Sequence, residues 1–575
     1  MADPSANPVP GVATRHRQIW LLASLAFVLL RAIPNISYPI GRDQATFLVI
    51  GRGILDGQHL YQDLWDNKPP GIFFLSAVIV KVFGPVMWSV GLIDILWLLG
   101  FSYCVFRFTE RYLGPAAATV AVIVNATWHV EAGYWQAAQT ETFLILCVFL
   151  AFFLVASVGR WGLLRHALAG VLCAAAFWLK YNAIVLVPVA VLIPYLETHR
   201  LDGEPRRVSL VLPWRQWIER TLAFGGGFVA AVTSVLIAFR FSDSWEALKE
   251  VQFDVLPRYS AMTLQRTPHY LLWALYQTES VLGLWTEIAF VVAIAVAWKK
   301  RELGRLAPIL FCAVLGFLCV ALQARFHAYG FETAFPFFAM AWGYLGIAVL
   351  REFRQIADKC SQKGWKLARL LVWVLFANVV ASLIPPQIVS IVGHYRALAD
   401  WARGPEVFYT SYPWANPISH LSEQMRVISY LRRNLTPGDG LFVWGSEPLI
   451  YFLTGRPCTA RFVTNLALMS PWSPPKWRDE MVRDLGQAPP RFLVVARDDA
   501  VPNITYSRWD SEEFLQVYPE FAIFISDHYE QAVNLRNFAI YERRSARHAQ
   551  TSDSEVPAGG RMASAQATKT PWQTH

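Results

Sequence analysis

The sequence predicts an α-helical polytopic membrane protein with a small α/β domain at its C-terminal end. Three observations predict it. Hydrophobic residues make up 55% of the 575 residues and charged residues only 16%, where soluble proteins carry about 25% charge. Apolar segments recur along the first 385 residues, with many of the 24 Trp near their ends, as expected of interfacial belts. Beyond Pro385 and Pro386 the apolar segments stop, and short helical and strand patterns alternate.

Eleven spans fit the apolar pattern, at about 19–34, 88–106, 115–130, 141–158, 166–180, 183–196, 221–239, 281–298, 306–322, 333–350 and 367–384. Several are shorter than the ~20 residues an upright crossing needs, and the pair flanking Lys180 reads as a broken hairpin. The last span ends at Pro385-Pro386, because proline cannot continue a regular helix. The N-terminal run contains Arg31 and lacks a small-residue cleavage site, so it reads as an uncleaved anchor behind a cytoplasmic segment 1–18.

The stretch 71–83 (GIFFLSAVIVKVF) is apolar but short. If it crossed, every later loop would change side. Lys and Arg decide the matter. With 71–83 outside the count, loops such as 107–114, 197–220, 299–305 and 351–366 share the N-terminal side, and they are rich in Arg and Lys. Loop 131–140, on the other side, has none. Residues 71–83 and 44–56 are therefore expected to lie along the surface as juxtamembrane helices. The outer face then gathers loops 35–87, 131–140, 240–280 and 323–332, and the C-terminus is outside.

The expected domains are a transmembrane body over 19–385, an extracytoplasmic α/β domain over 390–545, and a disordered tail over 546–575, rich in Ser, Ala, Gly and Gln. The α/β domain is read from a polar-faced helix at 419–434, a turn at Thr436-Pro437-Gly438-Asp439, and strands at LFVW (441–444), RFLVVARD (491–498) and FAIFI (521–525).

Some function classes are set aside. The net charge of +9 sits mostly in short loops, so topology explains it before nucleic acid does. Of seven Cys only Cys458 lies in the soluble part, and no CxxC or Cys/His cluster marks zinc. No P-loop, GxSxG, HExxH or Rossmann fingerprint is present. A transferase acting on the outer face without a nucleotide site needs a lipid-linked donor.

The richest stretch is 41–71, GRDQATFLVIGRGILDGQHLYQDLWDNKPPG. So much charge beside a bilayer needs a reason. Asp43 is a candidate general base, and an N-cap is the plain alternative. Lys68, fixed by Pro69 and Pro70, is a candidate phosphate holder. Glu141, in TETF at an outer helix start, is a candidate second acid or a helix-dipole residue. Lys180 interrupts an apolar stretch and either snorkels or meets an anionic head group. Arg325, His327 and Tyr329 stand at an outer span end, where aromatic and basic residues are ordinary. Asp63 and Asp66 could be solvated loop residues.

These residues resemble the C-type membrane glycosyltransferases, in particular the protein O-mannosyltransferase and lipid A aminoarabinose transferase branch. YQDLWDNKPPGIFFL at 61–75 is similar to that branch's aromatic-x-x-Glu-Lys-Pro-Pro segment, and RFHAYGFETAFP at 325–336 is similar to a later outer segment. The resemblance covers about 15–385. It departs in two places: Gln44 follows Asp43 where the mannosyltransferases carry Asp-Glu, and Asn67 replaces a Glu that helps bind metal in the aminoarabinose transferases. A divalent metal is therefore left open.

The resemblance implies inverting transfer of a sugar from a polyprenyl-phosphate donor to a hydroxyl of a cell-envelope glycan, lipid or protein, at the periplasmic side of a bacterial inner membrane. It implies Asp43 and Glu141 as catalytic acids, Lys68, Lys180 and Arg325 at the donor phosphate, and Arg42, Tyr61, Asp63, His327 and Tyr329 as substrate contacts. Two alternatives belong to other classes: a flippase for a polyprenyl-linked lipid, and a non-catalytic envelope-glycan assembly protein. A flippase would place charge near mid-membrane within inverted repeats, and the sequence shows neither.

Overall fold

The computed structural model describes residues 10–156, 162–199, 207–210, 214–263, 267–412 and 420–544. The tail expected to be disordered lies outside the described residues. By contacts the chain divides into two units that interleave in sequence. Unit 1 holds residues up to Pro39, Trp88–Ile237 and Thr263–Ala402, and unit 2 holds Ile40–Met87, Ala238–Met262 and the chain from Arg403.

Unit 1 is helical. Its principal helices are Pro10–Ala32, Trp88–Leu113, Pro115–Glu131, Thr140–Ala156, Gly162–Leu179, Trp214–Arg240, Leu284–Lys299, Leu303–Ala321, Phe335–Gln362 and Lys366–Arg403. Most expected spans fall on helices, while 183–196 falls on two 3-10 turns flanking a short helix, Val187–Val191, and ends in the strand Leu196–His199; 141–158 runs past the described residues at Ala156. Among the described residues, five helices are long and apolar enough to cross a membrane, or six if the Pro268–Leu282 and Leu284–Lys299 pair, bent by 87°, is one span. Helix approach depends on small residues. A Cβ at Gly170 would lie 2.0 Å from the Phe224 carbonyl oxygen, and one at Gly227 would lie 2.0 Å from that of Ala167.

One local expectation is corrected and another is met. The last long helix does not stop at Pro385-Pro386 but runs from Lys366 to Arg403 with both prolines inside it. The expected break near Lys180 does occur. Gly162–Leu179 ends there, Lys180 is extended (φ −160°, ψ 127°), and a 3-10 turn follows at Tyr181–Leu186.

Unit 2 is built on a four-stranded sheet in the order Leu441–Trp444, Phe492–Ala496, Phe538–Arg543, Tyr529–Asn534. The first two strands are parallel, in register Leu441 with Phe492, and the rest pair antiparallel. Both parallel strands are buried throughout, as expected when both faces are covered. The segment FAIFI is a helix, Pro519–His528, rather than a strand. Pro519 opens the helix, and the buried Phe521, Phe524 and Ile525 follow helical spacing.

Most of the 35–87 stretch belongs to this unit. The two segments expected as juxtamembrane helices are helical, at Arg42–Leu55 and Gly71–Phe83. Between them Trp65 packs among Phe462, Trp472 and Trp477, with ring centroids 5.3–6.1 Å away.

Candidate active site

In unit 2 the site is built around the start of the Arg42–Leu55 helix. The N-cap is Gly41, with no side-chain cap, so the capping alternative for Asp43 fails. Asp43 lies in the first turn, where the helix dipole favours an anion. It is half-buried, and among the described residues no hydrogen bond or ion pair engages its carboxylate.

Lys68 follows a tight turn. Its backbone N–H donates to Asp66 Oδ1 at 2.9 Å, and its ammonium stands 3.7 Å from the same oxygen. The ammonium also lies 4.9 Å from the Phe47 ring centroid. The Lys68 carbonyl accepts from the Tyr61 hydroxyl at 2.7 Å and from Gln252 Nε2 at 3.2 Å.

Asp66 is not a solvated loop residue; it is 8% exposed. Burial raises its carboxyl above the ordinary range and the nearby Asp43 charge raises it further, while Lys68 opposes both. Two carboxyls near one another favour a single negative charge.

The other loop candidates are placed plainly. Tyr61 is fully buried, with φ +69°, and its hydroxyl is spent on Lys68. Asp63 accepts from the His59 N–H at 2.7 Å and shapes its own turn. Arg42 pairs with Glu447 at 3.1 Å. Glu447 is 3% exposed, and burial pushes its carboxyl up to about 8, against the pull of Arg42.

In unit 1 Glu141 and Lys180 come together. Glu141 is buried, accepts from the Thr140 hydroxyl at 2.5 Å, and is bonded by the Lys180 ammonium. Lys180 also donates to Gln323 at 2.6 Å and lies 5.8 Å from the Tyr329 ring centroid. Both Glu141 oxygens are engaged, which suits holding Lys180 better than moving a proton. Arg325 donates to the Thr263 hydroxyl at 2.8 Å, and the His327 and Tyr329 rings are 5.3 Å apart.

A buried polar cluster in the same unit escaped the sequence reading. His129 meets Asp94 at 2.9 Å and Glu332 at 3.1 Å, Asn35 donates to Asp94 at 2.8 Å, and Gln136 bonds Glu332. Ionisable groups inside apolar helices are the available signal. Asp94 is in the second turn of Trp88–Leu113 and His129 in the last turn of Pro115–Glu131. The cluster thus sits at helix ends and not mid-helix. Among the described residues no group of three or more His, Cys, Asp and Glu has metal-holding geometry.

Residues 67–232 match the sequence family described as dolichyl-phosphate-mannose-protein mannosyltransferase, a segment that begins beside Lys68 and leaves out Asp43. The structure of ArnT from Cupriavidus metallidurans in the apo state is similar over 92% of this chain and 98% of that one, at 12% identity and TM-score 0.51. Two further similarities are with the same protein bound to undecaprenyl phosphate (92% and 98%, 11% identity, TM-score 0.49) and with the Archaeoglobus fulgidus oligosaccharyltransferase AglB in complex with an inhibitory peptide and a dolichol-phosphate (84% and 69%, 11% identity, TM-score 0.44). No curated protein matches the sequence. Residues 67–232 thus carry the sequence match to that mannosyltransferase family, and the chain shares the fold of ArnT.

Proposed function

We propose that this protein transfers a sugar from a polyprenyl-phosphate donor to an acceptor hydroxyl, with inversion, on the outer face of the membrane. The observation that carries the reading is the loop geometry: an Asp43 carboxylate with no hydrogen bond or ion pair among the described residues, the Lys68 ammonium over the Phe47 ring one turn further along the same helix, and buried Asp66 beside Lys68. The acceptor oxygen attacks the anomeric carbon, the bond from that carbon to the phosphate oxygen breaks, and polyprenyl phosphate leaves. Asp43 takes the hydroxyl proton, a contribution of about 10²–10⁴-fold. Lys68 stabilises charge building on the phosphate.

Lys180, aligned by Glu141, and Arg325 are further candidate phosphate contacts, with His327 and Tyr329 as candidate sugar or acceptor contacts. Tyr61 and Arg42 act as positioning residues on this reading. The acceptor class is a cell-envelope glycan, lipid or protein. Eleven crossings, an inner-membrane location and an outside C-terminus rest on the Arg and Lys asymmetry of the loops.

The flippase reading gains no support from a charged cluster that lies at helix ends. The deciding assay incubates purified protein with a polyprenyl-phosphate sugar and an acceptor extract, and measures free polyprenyl phosphate. Movement of the lipid across a vesicle without its release would sink the transferase reading.

A further inference from the structure

The C-terminal region reaches the reacting groups by two short chains of bonds. The first begins at Glu447, in the turn between the Leu441–Trp444 strand and the Leu449–Thr454 helix. One Glu447 oxygen holds Arg42 at 3.1 Å, and Gln424 holds the other. Arg42 opens a helix that has no side-chain cap, and Asp43 is the next residue. What fixes Arg42 therefore fixes the direction in which Asp43 leaves the helix.

The second chain begins at Arg461. Its Nε donates to the Tyr61 carbonyl at 2.7 Å, and its own carbonyl accepts from the Trp65 N–H at 2.8 Å. The guanidinium is anchored behind by Glu480 and Glu250, each at 3.2 Å. Tyr61 is held in the left-handed region at φ +69°, which a tyrosine rarely adopts unaided. In that conformation its hydroxyl reaches the Lys68 carbonyl at 2.7 Å. A purely adhesive contact between the loop and the C-terminal region would not need polar side chains whose second-bond neighbours are the base and the phosphate cation.

We propose that the C-terminal region is the positioning element of the reaction: Glu447 sets Asp43 through Arg42, and Arg461 sets Lys68 through Tyr61. This rests on the roles given to Asp43 and Lys68 above. The two chains act on different steps, one on proton removal and the other on the phosphate, so they carry different kinetic marks.

The test uses the full-length protein in lipid nanodiscs. Binding is read with undecaprenyl phosphate alone. Turnover is read as undecaprenyl phosphate released from undecaprenyl-phosphate mannose, glucose, galactose or aminoarabinose, using the one the wild type consumes. Glu447→Gln keeps an oxygen for Arg42 and removes the titratable carboxyl. It is expected to lower kcat about 10–100-fold, the scale of a misplaced reacting group, with undecaprenyl phosphate Kd within about twofold of wild type. Tyr61→Phe deletes the hydroxyl bond to the Lys68 carbonyl, and is expected to weaken undecaprenyl phosphate binding by about tenfold.

Wild-type kcat in Glu447→Gln, or equal shifts of kcat, Kd and melting temperature in both variants, overturns the proposal. An Asp43→Asn control separates the two readings. If it is inactive while Glu447→Gln is normal, only the positioning fails. If it turns over normally, the assigned base fails and the positioning falls with it.

Discussion

The Lys68 ammonium stands 4.9 Å from the centroid of the Phe47 ring. Phe47 is four residues after Asp43 on one helix, so both lie on the same face. Such a contact is worth about 0.5–1 kcal/mol where water has access, enough to park a cation and weak enough to yield it to a phosphate.

Asp43→Asn tests the base. With Gly41 as the N-cap, the exchange costs no capping bond, only a dipole contribution of about 0.3–1 kcal/mol. Expression and thermal stability should stay close to wild type, and turnover should fall about 10²-fold or more. Normal turnover would move the search for the base elsewhere in the loop.

Lys68→Ala should abolish turnover while the protein still inserts and folds. Lys68→Arg should keep part of it, because charge survives without the compact ammonium geometry. A fully active Lys68→Ala protein would remove this lysine from the mechanism.

The Glu141–Lys180 pair should appear in a double-mutant cycle. Glu141→Gln and Lys180→Met should each destabilise the protein, and the double variant should lose less than their sum, with a coupling of about 1–3 kcal/mol. Additive losses measured by thermal unfolding would mean the pair is not formed.

Glu447 predicts a pH dependence. Its carboxyl holds its proton to about 8 in the folded chain, against an ordinary 4.5. Between those values the folded state binds the extra proton, so this group's stabilisation is complete below about 4.5 and is lost as pH rises through about 8. Asp66 and Asp499, also raised chiefly by burial, act in the same direction. Melting curves from pH 5 to 8.5 should fall less steeply for Glu447→Gln than for wild type, and parallel curves would refute the assignment.

Topology has its own test. Because the last long helix continues to Arg403, a reporter belongs at Gly404 and not at Pro386. A periplasm-active reporter there should be active and a cytoplasm-active one silent. The reverse would mean that 71–83 crosses or that another span is misread.

The helices were legible because apolar runs announce themselves, and the Lys68-Pro69-Pro70 corner because proline fixes its own backbone. Pro385-Pro386 misled because proline inside a long apolar helix is tolerated where neighbouring groups take up the freed carbonyls. FAIFI misled because a five-residue apolar run carries no usable period. Within the site, Asp43 and Lys68 were readable from their shared loop. The buried state of Asp66 was not, since it depends on neighbours the local sequence does not name. Glu447 and Arg461 were invisible for a different reason: their partners lie 405 and 400 residues away, and a single long-range ion pair leaves no repeat behind.

That separation has a consequence in time. At roughly 5–20 residues per second, Tyr61 leaves the ribosome about 20–80 s before Arg461, the residue 400 positions later that grips its carbonyl. Through that interval the loop has left the ribosome without its clasp, so a nascent chain carries the catalytic groups but not their arrangement. Competence arrives late and at once, when the last fifth or so of these 575 residues is made. Stalled chains ending before Arg461 should show a protease-sensitive loop around Tyr61, and chains extended to Arg544 a protected one. Equal protection in both would show that the loop sets without its clasp.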